Sequence, residues 1–365
     1  RPIVFTSLKD LPENTWGGIL FNNAGADGSI MKHCRIRYGG SNFASATVDS
    51  LLRCEASSPT LSDCWITNSH TNGLSLVNSR ANVASVRFAA NANYAAYMDL
   101  QSFPQFTTVS AENNQFDGIL ITNGTMSTSG RWDYAEIPYL IRNDVVIATD
   151  AMLTIDPGTE IQFTDIAADL QVDGALWAVG TVSNPIRFTS LRRTPAPGSW
   201  GGIYFSPTTN NASTRLQHCV VEYGGSNFAS LTQASLVFCD GASPILEQCV
   251  FQFSNNDGIW IKNGSSVLIQ PVIQNNKGFA ARIFPNAFPQ IRNAVAVTNR
   301  FNAIQIAGGS WTGSGEWVEP GIPYLIAEDV EIAPDARIAF AKGNTIQFNY
   351  ISSDLIVRGR LDAIG

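Results

Sequence analysis

Six cysteines are the most reactive side chains of the sequence. Each cysteine of the first half returns at a constant offset in the second half, which gives the pairs Cys34 and Cys219, Cys54 and Cys239, and Cys64 and Cys249. A zinc site is not expected, because the chain has three histidines and no closely spaced cysteine pair beside them. Two interpretations stay open: buried free thiols, or disulfides between stacked segments in an oxidising compartment.

Carboxylates are the second group with catalytic potential, because glycoside hydrolysis uses two of them about 5 to 9.5 Å apart. Several aspartates recur by copy, and these are Asp144, Asp150 and Asp169 with Asp329, Asp335 and Asp354. We interpret them as turn formers that bind backbone amides, with calcium binding as the minor alternative.

Three tryptophans are candidate contact residues. Trp65, Trp177 and Trp260 each stand between two inward apolar positions, so alternation turns them outward. Either a neighbouring loop covers each ring, or the ring contacts a protein or stacks on a sugar.

Three sequons are candidate glycosylation sites. They begin at Asn123, Asn211 and Asn263, and their counterparts in the other half head no sequon. Chance explains them in a chain rich in Asn, Ser and Thr, whereas secretion would make modification feasible.

The elements that position these residues follow from a long outer period. His33 to Ser45 returns as His218 to Ser230, so the chain divides into two copies, 1–183 and 184–365, of one continuous solenoid. Gly365 corresponds to Gly180 and Pro2 to Pro185. We therefore expect two links of a longer tandem array with uncapped ends.

An inner period sets the fold. Leu61-x-x-Cys64-x-Ile66 aligns with residues 83–88 and 106–111, at steps of about 22 to 23 residues. A coil of this length holds three short strands and cannot bury its apolar side without neighbours above and below. Parallel crossovers are right-handed. The sequence therefore predicts an all-β, right-handed parallel β-helix solenoid.

The alignment of coils assigns faces to side chains. Cys64 falls in an inward column with Val86 and Val109, so the six cysteines are predicted to stack in the core. The outward columns beside it hold no carboxylate pair, so no catalytic and no metal-binding residue is predicted. Asparagines near strand ends predict a partial ladder, formed by Asn68, Asn91, Asn113 and Asn275.

Residues 58–69, Ser-Pro-Thr-Leu-Ser-Asp-Cys-Trp-Ile-Thr-Asn-Ser, resemble the coil repeat of right-handed parallel β-helix proteins, the pectate-lyase-like superfold. Segments 153–159, 184–190 and 200–203 are similar to large secreted or cell-surface bacterial β-helix proteins. The resemblance implies the fold and an extracellular or cell-surface location. It implies no single activity, since this architecture hosts lyases, hydrolases, adhesins and inert spacers. The family's catalytic residues do not carry over.

Composition limits the partners. The net charge of −7 and the pI near 5.0 argue against nucleic-acid binding, which requires a cationic surface. No stretch approaches the ~20 apolar residues of a membrane span, and no cofactor is predicted.

These features favour a structural role, in which the chain is a segment of an extracellular filament, stalk or surface rod and is not an enzyme. Its main partner would be itself, head to tail or as one continuous chain. The alternatives are a glycan-binding adhesin segment that contacts cell-surface glycans and, third, a polysaccharide lyase or hydrolase.

Overall fold

The computed structural model describes residues 1–11, 15–41, 50–226, 228, 234–349, 351 and 353–365. These residues form short strands and two single-turn 3-10 helices, Ala24–Ala26 and Asn211–Ser213. The strands of the first part of the chain are β1 (Ile3–Phe5), β2 (Ile19–Asn22), β3 (Ile30–Lys32), β4 (Cys34–Arg37), β5 (Ser50–Glu55), β6 (Thr60–Ser62), β7 (Trp65–Thr67), β8 (Asn72–Val77), β9 (Asn82–Ala84), β10 (Arg87–Ala89), β11 (Tyr94–Met98), β12 (Gln105–Thr107), β13 (Ser110–Glu112), β14 (Phe116–Ile121), β15 (Gly124–Met126), β16 (Gly130–Trp132), β17 (Tyr139–Ile141), β18 (Val145–Ile147), β19 (Met152–Ile155), β20 (Glu160–Phe163), β21 (Leu170–Val172) and β22 (Ala175–Val179).

The strands that follow are β23 (Ile186–Ser190), β24 (Ile203–Phe205), β25 (Arg215–Gln217), β26 (Cys219–Glu222), β27 (Ser235–Asp240), β28 (Ile245–Glu247), β29 (Val250–Gln252), β30 (Asp257–Lys262), β31 (Val267–Ile269), β32 (Val272–Gln274), β33 (Phe279–Ile283), β34 (Gln290–Arg292), β35 (Val295–Val297), β36 (Phe301–Ile306), β37 (Gly309–Trp311), β38 (Gly315–Trp317), β39 (Tyr324–Ile326), β40 (Val330–Ile332), β41 (Arg337–Phe340), β42 (Ile346–Phe348), β43 (Leu355–Val357) and β44 (Arg360–Ala363).

The chain divides into two compact units. The first consists of Arg1–Arg142 with Thr159–Gln162, and the second of Asn143–Gly158 with Phe163–Gly365. Neither unit coincides with one sequence copy, because the copies meet at 183/184. The copy boundary therefore stays a description of the sequence repeat.

The first unit is a three-sided solenoid. Its strand columns are β1-β4-β7-β10-β13, β2-β5-β8-β11-β14-β17 and β3-β6-β9-β12, and the pairings described between them are parallel. In the first column Ile36, Ile66 and Phe88 stand directly over one another with no exposed surface. The alternation of apolar and polar residues thus fills the interior coil by coil.

The second unit repeats this plan. Its columns are β23-β26-β29-β32-β35, β18-β21-β24-β27-β30-β33-β36-β39-β42 and β19-β22-β25-β28-β31-β34, followed by β37-β40-β43 and β38-β41-β44. The predicted fold is confirmed: the chain is an all-β, right-handed parallel β-solenoid of about 13 turns in total. Among the described residues, no helix is long and apolar enough to span a membrane.

A single residue with a left-handed backbone turns the chain at two corners of the coils. At the corner after β7 and its neighbours, φ is 55° at Asn68, 55° at Ala90 and 56° at Asn113, and Asn275 has the same value of 56° in the second unit. Asparagine tolerates this conformation better than most residues, but alanine and phenylalanine adopt it here as well. The corner therefore requires a backbone shape and not an asparagine side chain.

The asparagine ladder differs from the prediction at three of four positions: Asn114 and Asn276 take the places predicted for Asn113 and Asn275, and a serine, Ser69, follows Asn68. Asn91 Nδ2 donates to Ile66 O (3.3 Å) and to Asn114 Oδ1 (2.7 Å). In the second unit Asn276 Nδ2 donates to Asn299 Oδ1 (2.8 Å), and Asn276 Oδ1 accepts from Ser254 N (2.8 Å). Of the predicted ladder residues, Asn91 takes part. Asn68, Asn113 and Asn275 occupy the left-handed corner instead, because it is the side chain of the following residue that points into the coil.

The outer repeat is not a whole number of coils. Within the second unit, β18 belongs to the same column as β36 and β39, whereas its copy β40 lies in the next column, between β37 and β43. The two strands are 22 places apart in chain order, which is seven coils of three strands and one strand more. Within the second unit, a strand of the second copy therefore lies one face further round the coil than the equivalent strand of the first copy.

The ladder makes a stability prediction. Asn276→Ala should lower the free energy of unfolding by about 2 to 3 kcal/mol, because it leaves buried backbone groups of the neighbouring coils without partners. Asn275→Gly is the matched control. It should be nearly neutral, since glycine accepts the left-handed corner freely. Urea unfolding of both variants measures the difference, and equal losses would contradict the ladder as placed here.

Candidate functional site

The cysteines lie in the interior of both units. All six are free and buried, and Cys34 and Cys64 occupy equivalent positions on neighbouring coils, as do Cys219 and Cys249. Burial raises the pKa of Cys64 to about 11 and that of Cys54 and Cys239 to about 12. Burial also raises the pKa of Cys219, and the hydrogen bond to the Cys249 thiol adds to the rise. These thiols are therefore protonated and unreactive at neutral pH.

The three outward tryptophans have different surroundings. Trp65 is 43% exposed and Trp177 is 37% exposed, whereas Trp260 is 9% exposed. Trp260 packs with Phe228 and Phe238, and its Nε1 donates to Asp257 Oδ2 at 2.6 Å. Of the two alternatives, the covered ring applies to Trp260, because neighbouring aromatic residues pack over it and leave no accessible face for a contact. Trp65 and Trp177 keep an accessible surface.

Trp65 stands at the centre of a cationic column on the first unit. The register of β4, β7 and β10 places Arg35, Trp65 and Arg87 on successive strands, all pointing outward. The guanidinium carbons of Arg35 and Arg87 lie 4.7 and 5.0 Å from the centre of the indole ring. Cation–π attraction thus holds one arginine on each neighbouring coil against the same ring. We call these three residues the Arg-Trp-Arg stack.

Two surface grooves meet at this stack. The first has a volume of about 330 Å³ and is lined in part by Arg1, His33 and Asp63. The second has a volume of about 220 Å³ and includes Thr67 and Asn68 with both stacked arginines. Trp65 lines both grooves, so its ring forms the wall between them.

The charges around the stack are unevenly paired. Arg87 forms an ion pair with Glu112, and the neighbouring Arg37 forms one with Asp10. Arg35 is exposed and has no acidic partner within the described ranges. One cation of the stack therefore remains free to meet an anion from solution.

The stack exists in only one copy. In the second copy of the sequence, the positions equivalent to Arg35, Trp65 and Arg87 are all valines. These residues are Val220, Val250 and Val272. They hold the same register on β26, β29 and β32. Two exposed arginines and a tryptophan are therefore not needed to build this part of the solenoid.

Sequence reasoning found Trp65 but missed its arginines. The coil alignment places Trp65 and Arg87 in one outward column, but this column contains no carboxylate pair and therefore gave no catalytic prediction. The coil that leads from Arg35 to β7 is longer than its neighbours, which obscures the place of Arg35 in the column. The signal was the pair Arg35-x-Arg37, which alternation places on one outward face.

The remaining candidates lie at the surface. Asn123, Asn211 and Asn263 are all exposed, and Asn211 Oδ1 accepts a hydrogen bond from Ser243 N at 2.7 Å. Glycosylation at these positions stays a prediction. In the part of the chain that the structure describes, no group of three or more His, Cys, Asp or Glu side chains is placed to hold a metal ion.

Two family models match the chain. Residues 5–130 match a model described as "Right handed beta helix region", and residues 124–232 match one described as "Pectate-lyase like beta helix domain". No curated protein matches the sequence. The matches agree with the coordinates and confirm the resemblance at the level of architecture, which hosts many unrelated functions.

The buried thiols predict a pH dependence of stability. Unfolded thiols ionise near pH 9.0, whereas Cys54 and Cys239 in the folded chain stay protonated up to about pH 12. The folded state then holds more protons than the unfolded state. The contribution is complete below pH 9 and is lost as the pH rises towards 12, by up to about 1.4 kcal/mol per pH unit and thiol.

Chemical unfolding between pH 8 and pH 11 measures this loss. The double variant Cys54→Ala, Cys239→Ala should show a shallower decline, because alanine does not titrate and its cavity penalty is independent of pH. Parallel declines in the two proteins would show that other groups cause the alkaline instability.

Proposed function

We propose that this right-handed parallel β-helix protein is a structural scaffold, a segment of a longer extracellular tandem array that forms a filament, stalk or surface rod. The observation that carries the proposal is the contrast between what the two copies share and what they vary. They share apolar side chains at the positions that point into the coil, and hydrogen bonds that fix the coils. They vary the outward rows.

The shared contacts are specific. Trp16 Nε1 donates to Arg37 O at 2.9 Å, and Trp200 Nε1 donates to Glu222 O at 2.8 Å. The hydroxyl of Tyr139 donates to Asp133 O at 2.9 Å. Its copy Tyr324 donates to Val318 O at the same distance. A repeat that preserves such bonds preserves a coil geometry.

The outward rows differ in chemistry. One such row points away from the coil interior but is largely covered by other side chains. It holds Arg53, Ser75 and Tyr97 on β5, β8 and β11, and its copies on β27, β30 and β33 are Phe238, Trp260 and Arg282. The Arg-Trp-Arg stack of the first copy and the three valines at the equivalent positions of the second copy show the same contrast. A scaffold tolerates this change, because strand pairing depends on the backbone and the inward side chains.

Self-assembly along the coil axis follows from the same physics. Each coil pairs its backbone with the coil before and after it, so a tandem chain extends by the same contacts that hold one copy together. Seven and one-third coils at ~4.8 Å per coil give an axial advance of about 35 Å per copy.

Electron microscopy of the native material, with immunolabelling of intact cells, tests the proposal. We expect rods on the cell surface with an axial periodicity of about 35 Å or a multiple of it, as the strand spacing requires. Short isolated particles that release reducing ends from polysaccharides would contradict the scaffold role and favour a lyase or hydrolase.

A further inference from the structure

We propose that the Arg-Trp-Arg stack of the first unit is a binding site for an anionic polysaccharide. The scaffold role does not require such a site, so the inference goes beyond it. The site would bind the oxyanion groups of the glycan, which are carboxylates or sulfates, through the guanidinium groups of Arg35 and Arg87.

The stack prepares both arginines for binding. An arginine side chain normally loses rotamer freedom when it binds a ligand, but here the indole ring of Trp65 already holds each guanidinium group, with the guanidinium carbons 4.7 and 5.0 Å from the ring centre. A guanidinium group has five N–H donors, so contact with a ring leaves N–H edges for hydrogen bonds. Those edges match the two oxygens of a carboxylate or sulfate.

The local charge favours an anion although the whole chain is acidic. Arg35 is exposed and lacks an acidic partner in the residues described, while Glu112 partly neutralises Arg87. Asp63 lines the first groove, and Lys32 Nζ lies 4.0 Å from its Oδ2, so a second cation partly offsets this carboxylate. Arg35 is therefore the cation that an incoming anion meets first.

The shape of the surface favours a linear polymer. Arg35 and Arg87 are two strands apart, about 10 Å along the coil axis, so groups spaced along one chain engage both. Grooves lie on both sides of Trp65, and the second is lined by the neutral side chains Thr67 and Asn68. A hydroxyl and an amide suit the hydroxyl groups of a sugar, which an acidic peptide lacks along its backbone.

Three polymers with one backbone test the charge requirement. Dextran sulfate, carboxymethyl-dextran and unmodified dextran are titrated into the full chain by calorimetry at low salt. We expect binding of at least one charged polymer and none of unmodified dextran. The two charged polymers separate sulfate recognition from carboxylate recognition. Equal binding of unmodified dextran would overturn the proposal.

Variants then locate the site. Arg35→Ala and Trp65→Ala should each weaken binding about tenfold, and Trp65→Phe should retain most of it because a ring remains. Trp177→Ala, at the other exposed tryptophan, is the matched control and should bind normally. All of these side chains point outward, so unchanged melting temperatures verify folding. Loss of binding in the Trp177 variant alone would move the site elsewhere.

Two further variants give results that a purely structural stack does not predict. Glu112→Gln releases Arg87 and should strengthen binding two- to threefold. The triple variant Val220→Arg, Val250→Trp, Val272→Arg rebuilds the stack on the second copy, and it should raise the stoichiometry from one site to two. A stoichiometry of one in this correctly folded variant would overturn the claim that the stack itself is the site.

Polyglutamate of matched charge density completes the test. If it binds as tightly as the charged dextrans and with the same dependence on Arg35, the glycan assignment is wrong and the face recognises acidic protein. Either result leaves the scaffold proposal standing, because surface rods are observed independently of any ligand.

Discussion

The parallel register between neighbouring coils is the constraint on which the rest of the structure depends. A strand pairs its backbone with the strands of the coils next to it, so a side chain meets the equivalent position of its neighbours wherever the register is regular. This is why Ile36, Ile66 and Phe88 pack on one another as one continuous column in the interior. It is also why Trp65 meets an arginine on each side. The parallel register thus produces both the contacts between inward side chains and the contacts between outward side chains.

The same register explains how much could be predicted from the sequence. The short inner period and the alternation of apolar residues were sufficient for the fold and its handedness, because a coil of that length has few other ways to bury its apolar side. The inward positions of the cysteines followed from the same alignment. Features that repeat in many coils can therefore be predicted from a single sequence.

Features that depend on one irregular element could not be predicted from the sequence. The asparagine ladder was misplaced by one residue, because the corner residue and the ladder residue are adjacent and both favour asparagine. The sequence left open whether Trp260 is covered or available for contact, and Phe228, which lies in the long connection between β26 and β27, packs against it. The arginines beside Trp65 were missed because the coil that contains Arg35 is longer than its neighbours. In each case the limit of prediction arose where the regular period was interrupted.

The shift of one face per copy has a consequence for any chain that contains more copies. If each further copy advances by the same seven and one-third coils, equivalent strands of successive copies lie on successive faces, and every third copy returns to the same face. A partner approaching from one side would meet a given motif at intervals of about 105 Å, three times the axial advance of one copy at ~4.8 Å per coil. Insertion or loss of a single strand would move the equivalent strands of every later copy to the adjacent face.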